Sequence, residues 1–158
     1  MRVRQTAEFV IWSSKVTAEE IDERLDIADG QVTARGSKVA GPPPLPRFHM
    51  WELKSDLPDT ERIDQHLKQL FGKLHPSERV LKDLLATNHD MVAQLQVVRY
   101  FDEGPDDYAD APVPGVEEPP PNWALVPGQH RLLGMVLSAE WIAFLHNVGA
   151  NLQFDEYD

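Results

Sequence analysis

The stretch that most restricts the fold is the closing one, 138–158, SAEWIAFLHNVGANLQFDEYD. Ser138 stands at a cap position. Ile142, Leu145 and Gly149 then track one line, and Trp141, Phe144 and Val148 widen it, which is the spacing of a helix with a broad apolar face. Gly149 supplies a left-handed stop. From Asn151 the residues alternate as in a strand, with Leu152 and Phe154 inward and Gln153, Asp155 and Tyr157 opposite. A weaker copy of the unit fills 17–36, TAEEIDERLDIADGQVTARG. Thr17 and Glu20 form a capping box, Ile21, Leu25 and Ala28 a stripe, and Asp29-Gly30 a stop before a brief strand. The echo predicts a fold of two related halves.

The chain between these units supplies the rest of a sheet. Residues 3–12 alternate, with Val3, Gln5, Ala7, Phe9 and Ile11 on one face, and both faces turn apolar toward Trp12. GPPPLP at 41–46 lacks the donors of a central strand and reads as an extended connector. A strand over 47–54 puts His49, Trp51 and Leu53 on one face and Phe48 and Met50 on the other. Ile63, Leu67, Leu70, Phe71 and Leu74 stripe a helix over 59–74, His75-Pro76 breaks it, and Ser77 caps a second helix carrying Leu81, Leu84 and Leu85. The longest strand signal is 91–101, with Arg99 intruding on the face of Ala93, Leu95 and Val97. A last apolar strand is expected at 131–137. These elements predict one domain over 1–158 of class α+β. It has a mostly antiparallel sheet of about five to six strands packed by helices, and the helical hairpin joins two pseudo-repeated halves of a ferredoxin-like or related kind.

Composition limits function. The chain of 158 residues has 26 Asp and Glu against 15 Lys and Arg, a formal net charge of -11. That field repels phosphate, so no nucleic-acid partner is expected; an acidic surface of this kind serves solubility first, and its sharper reading is a face for a basic protein partner. Cysteine is absent, which removes disulfides and thiolate chemistry. The opening residues MRVRQTAEFVIWSS hold no apolar run of signal-peptide length, and no run elsewhere reaches a membrane span, so a cytoplasmic protein without a membrane partner is expected. The segment 102–128 holds seven carboxylates, seven prolines and no Lys or Arg, and reads as a long acidic loop anchored near Trp123 and Leu125.

No motif for phosphate cradling, nucleophilic hydrolysis or zinc binding occurs, and the six histidines lack ligand spacing. No catalytic residue, metal ligand or cofactor is assigned. Glu52 and Asp155 are carboxylates inside otherwise apolar strands. Within-strand parity allows Arg47, Trp51, Arg99, Asp155 and Tyr157 to line one polar pocket, and these five are the candidate ligand-binding residues.

Thr17-Ala18-Glu19-Glu20-Ile21 with Leu25, then Gly36 before Trp51, the leucine-striped hairpin, Leu137-Ser138-Ala139-Glu140, Leu145, Gly149-Ala150, Leu152, Phe154-Asp155 and Tyr157 follow one another in a recognisable order. In that order the chain resembles the bacterial family called domain of unknown function 4279. The resemblance implies an α+β domain and brings no catalytic residues with it. The expected function is a non-enzymatic binding or interaction module, in one form an immunity-type protein that covers a basic toxin. The alternatives are a small-ligand sensor with a pocket on the sheet face, and an enzyme whose site follows no motif.

Overall fold

The structure is a computed structural model that describes residues 2–102 and 135–157. The acidic stretch expected over 102–128, apart from Asp102 itself, lies outside the described residues, as do Trp123, Leu125 and the 131–134 part of the expected last strand. Residues 135–137 have no regular structure. In chain order the elements are β1 (Arg2–Ser13), α1 (Ala18–Leu25), β2 (Gln31–Thr33), β3 (His49–Lys54), α2 (Ile63–Leu74), α3 (Glu78–Thr87), β4 (Val92–Asp102), α4 (Ala139–Val148) and β5 (Asn151–Tyr157), with a 3-10 turn, His75–Ser77, between α2 and α3.

The strands form one five-stranded sheet in the order β2-β3-β1-β4-β5. β1 is antiparallel to both β3 and β4, and β2 is antiparallel to β3. β5 lies parallel to β4, so the sheet is mixed. Parallel neighbours need a crossover, and the chain between them includes α4. The class is α+β, with helices on one face of a single sheet.

Register decides which parity of each strand meets the helices. Phe9 pairs with Leu53 and Leu95, and Ile11 with Trp51 and Ala93. These residues, with Ala7 and Val97, pack under Ile21 and Leu25 of α1, Ile63, Leu67 and Leu70 of α2, Leu81 and Leu84 of α3, and Trp141, Phe144 and Val148 of α4. One core therefore fills the space between sheet and helices. Its burial drives folding, because side chains of this size each stabilise by roughly 1.5–3 kcal/mol when removed from water.

Local signals set most helix ends. Thr17 Oγ1 accepts from Glu20 N at 3.2 Å, and Ser138 Oγ from Trp141 N at 3.2 Å. Gly149 ends α4 in the left-handed region, with φ 74. Two ends differ from expectation. α1 stops at Leu25, because Asp26 takes the left-handed cap with φ 48, so Ala28 lies outside the helix. α2 begins at Ile63 rather than at residue 59, because the preceding segment bonds to β1: Gln5 N donates to Asp59 O at 2.7 Å and Gln5 Nε2 to Glu61 O at 3.0 Å. Ser77 stands before α3 but does not cap it with its side chain; its Oγ donates to Leu25 O at 3.2 Å and ties the hairpin to α1.

The closing strand is the other correction. Leu152 and Phe154 share the helix-side face, yet they are 37% and 46% exposed and are not core residues. β5 lies at the sheet edge among the described residues, where the helical layer leaves them exposed.

Candidate functional site

Alternation along β1 sends Arg4, Thr6, Glu8, Val10 and Trp12 to the face away from the helices, and register adds partners from the neighbouring strands. Arg4 lies opposite Tyr100, and Tyr100 beside Tyr157. Glu8 lies between Lys54 and Gln96, and Gln96 beside Gln153. No described helix packs on this face.

A polar row crosses it. Lys54 Nζ lies 2.7 Å from Glu52 Oε1 and 3.5 Å from Glu8 Oε2. On the other side of Glu8, Gln96 Nε2 donates to Asp155 Oδ2 at 2.6 Å, and Gln94 Nε2 donates to Gln153 Oε1 at 2.6 Å. Gln153 Nε2 donates in turn to both oxygens of Asp155 at 3.0 Å. Glu52 and Glu8 thus share one lysine, while Asp155 is held by Gln96 and Gln153. Toward one end of the sheet the row gives way to aromatics. Tyr100 and Tyr157 stack with centroids 5.2 Å apart, and the Arg4 guanidinium lies 5.1 Å from the Tyr100 centroid.

The electrostatics of the row centre on Glu8. Burial, followed by the adjacent Glu52 carboxylate, pushes its carboxyl up to about 7, and Lys54 only partly offsets this. Lys54 is itself raised, chiefly by its hydrogen bond to Glu52. Glu8 therefore holds a proton for part of the time near neutrality, and the charge of the face changes in that range.

The five candidate residues do not meet. Trp51 is on the helix side and fully buried, and its Nε1 donates to Asp22 Oδ1 at 2.8 Å. Arg99 is also buried on the helix side, with Nη1 3.4 Å from Glu156 Oε1. Arg47 precedes β3 and is exposed. Asp155 and Tyr157 are on the face away from the described helices. Glu52 shares that face with Asp155, but three strand spacings, about 14 Å, separate β3 from β5. The sequence reading missed Glu8 and Lys54. The signal was available, since a carboxylate in the middle of a two-sided strand is costly unless something answers it.

Two further polar clusters are structural. Asp90 Oδ2 accepts from Ser13 Oγ at 2.8 Å and from Ser14 N and Lys15 N at 3.0 and 3.1 Å, which fixes the turn after β1 and holds the Asp90 carboxyl below its usual range. His66 Nδ1 lies 2.9 Å from Ser55 Oγ, which donates to Gln69 Oε1 at 2.7 Å. His66 is fully buried and Ser55 half-buried, and with Gln69 they tie α2 to the chain just after β3. Among the described residues no group of three or more His, Asp or Glu is placed to hold a metal, and no helix is long and apolar enough to cross a membrane.

Fold and face together define a class: an α+β domain with one mixed sheet, helices on one side, and a hydrogen-bonded acidic row on the other. The chain belongs to the family described as domain of unknown function (DUF4279), whose model matches residues 2–114. The match runs through β1 to β4, so the helix–glycine–strand ending lies beyond the matched range. No curated protein and no solved structure matches the chain.

Proposed function

We propose that this protein is a non-enzymatic binding module whose sheet face away from the described helices takes a basic protein partner. The row from Glu52 through Lys54, Glu8 and Gln96 to Asp155 carries this reading. It groups a buried Glu52, a Glu8 that is partly protonated near neutrality, and Asp155 with one lysine, on a face that no described helix covers. The overall charge of -11 favours the same partner. Tyr100 and Tyr157 supply the aromatic area common in protein interfaces. An immunity-type protein that neutralises a basic toxin, in the cytoplasm, is the specific form of this reading. The strand order β2-β3-β1-β4, with every neighbour antiparallel, supports a ferredoxin-like description of that part. The shared order of helix, stop and strand in α1–β2 and α4–β5 is what supports two pseudo-repeated halves, apart from that description.

The test is capture on immobilised protein. A basic protein retained at low ionic strength, released as salt rises, and not retained by Asp155→Lys is the expected result. Retention that ignores both salt and the charge reversal overturns the proposal, as does no retention at all.

A further inference from the structure

The two edges of the sheet are not alike. β2, at one edge, is three residues long, and very short edge strands make poor templates for another chain. β5, at the other, is seven residues long and holds no lysine or proline, the residues that commonly blunt an edge. Its side away from β4 pairs with no described strand. Its two charges are already answered within the chain: Asp155 accepts from Gln96 and Gln153, and Glu156 Oε1 lies 3.4 Å from Arg99 Nη1. Charge therefore does little to keep another strand away from this edge.

Apolar surface collects in the same part of the chain. Among the described residues, five of the eleven large hydrophobic side chains left exposed belong to 135–157, and Leu152, Phe154 and Tyr157 are on β5 itself. The strand also fits a reversed copy of itself. A two-fold axis perpendicular to the sheet sets two copies of β5 antiparallel and keeps both helical layers on one side. With Gln153 on the axis, Leu152 of each copy lies opposite Phe154 of the other, so four exposed apolar side chains meet. Asn151 then lies opposite Asp155, an amide donor facing a carboxylate, and no two like charges are opposed. Moving the axis to Phe154 sets each Leu152 against a Glu156, and moving it to Asp155 sets two carboxylates against each other. The register centred on Gln153 is the one in which like chemistry meets like.

We propose that β5 is a self-association edge, through which two copies of this chain pair antiparallel about Gln153 and join their sheets into one. The dimer stands or falls independently of the basic-partner reading, and salt separates the two. Copies that each carry a charge of -11 repel, so added salt strengthens the dimer, whereas it weakens the hold on a basic protein. A single strand pair buries less than a standard interface, so the chain is monomeric when dilute and dimerises with a Kd of about 10 μM to 1 mM.

Sedimentation equilibrium of the full chain, at concentrations up to about 1 mM and at low and about 0.15 M salt, is the test. The expected result is a monomer–dimer equilibrium that salt tightens. Phe154→Lys should weaken it about tenfold or more, although it lowers the charge on each copy. Phe154 is exposed, and circular dichroism confirms that the variant is folded. The chain has no cysteine, so a single introduced thiol reports its own neighbours. Gln153→Cys should crosslink into a dimer with a short bismaleimide, and Gln31→Cys on the β2 edge should not. A chain that stays monomeric at about 1 mM, a dimer that salt weakens, indifference to Phe154→Lys, or equal crosslinking through the two thiols overturns the proposal.

Discussion

Gly30 is the residue where a single methyl group has the largest readable effect. A Cβ there would lie 2.6 Å from Asp22 Oδ1 and 2.6 Å from Trp51 Nε1, the two atoms of the hydrogen bond that satisfies the buried indole. Gly30→Ala must push them apart and leave a buried donor strained, at a cost of about 2–3 kcal/mol. Urea unfolding reads this directly, and a variant as stable as the parent would show that the turn yields instead. Protonation is the second residue-scale effect. The Glu8 carboxyl is raised from 4.5 to about 7, so its contribution to stability is complete below about pH 4.5 and is lost as pH rises through about 7. Water reaches the pair, so the loss is roughly 1–2 kcal/mol. Burial lowers His66, which works the other way: its contribution is present above about 6.5 and is lost as pH falls toward its depressed folded value. The two slopes oppose each other in one window. Glu8→Gln should remove the decline and expose the histidine slope, so that stability rises with pH as it approaches 6.5 from below. A Glu8→Gln profile that still falls on that approach would refute the assignment to Glu8. Parity within a strand is legible from sequence, and it places Trp51 with Leu53 and Asp155 with Tyr157. Which parity faces the helices depends on register between strands, and single-strand alternation carries no information about it. For that reason the sequence alone cannot separate Trp51 and Arg99, on the helix side, from Asp155 and Tyr157 on the opposite face.

At the scale of elements, the closing helix and strand differ in what they contribute. Phe144 of α4 is 1% exposed and meets Phe9 of β1 at 6.3 Å, so Phe144→Ala opens a cavity in the centre of the core. Its cost should be about 3–5 kcal/mol. Phe154 of β5 is 46% exposed, and Phe154→Ala should cost under about 1 kcal/mol. Comparing the two by thermal unfolding checks the division, and equal losses would mean that β5 is covered after all. The helix, the glycine stop with φ 74 and the strand were all readable from 138–158, because caps and periodicity are local. The exposure of the strand was not, because alternation marks two faces without saying whether anything covers either. The same limit applies to α2. Its leucine stripe gave the helix, but Gln5, more than fifty positions earlier, holds the segment before Ile63 out of it.

Charge acts on the whole molecule, and it links stability and binding with opposite signs. A net charge of -11 on a chain of this size repels itself in the folded state, and added salt screens that repulsion. Raising ionic strength from low to about 0.15 M shortens the screening length to about 8 Å, less than the span of the polar row from Glu52 to Asp155. The melting temperature should therefore rise, by about 2–4 °C for each kcal/mol of repulsion removed. The same screening weakens attraction to a basic partner, so affinity should fall over the salt range in which stability increases. Asp155→Lys separates the two effects. It lowers the repulsive charge and should raise stability at low salt, while removing part of the surface that a basic protein would meet. Calorimetry and partner titration on one salt series provide both readings. A partner whose affinity rises with salt would place the interface away from the acidic row, on apolar surface such as Phe154 and Leu152, where screening favours close approach of two like-charged molecules.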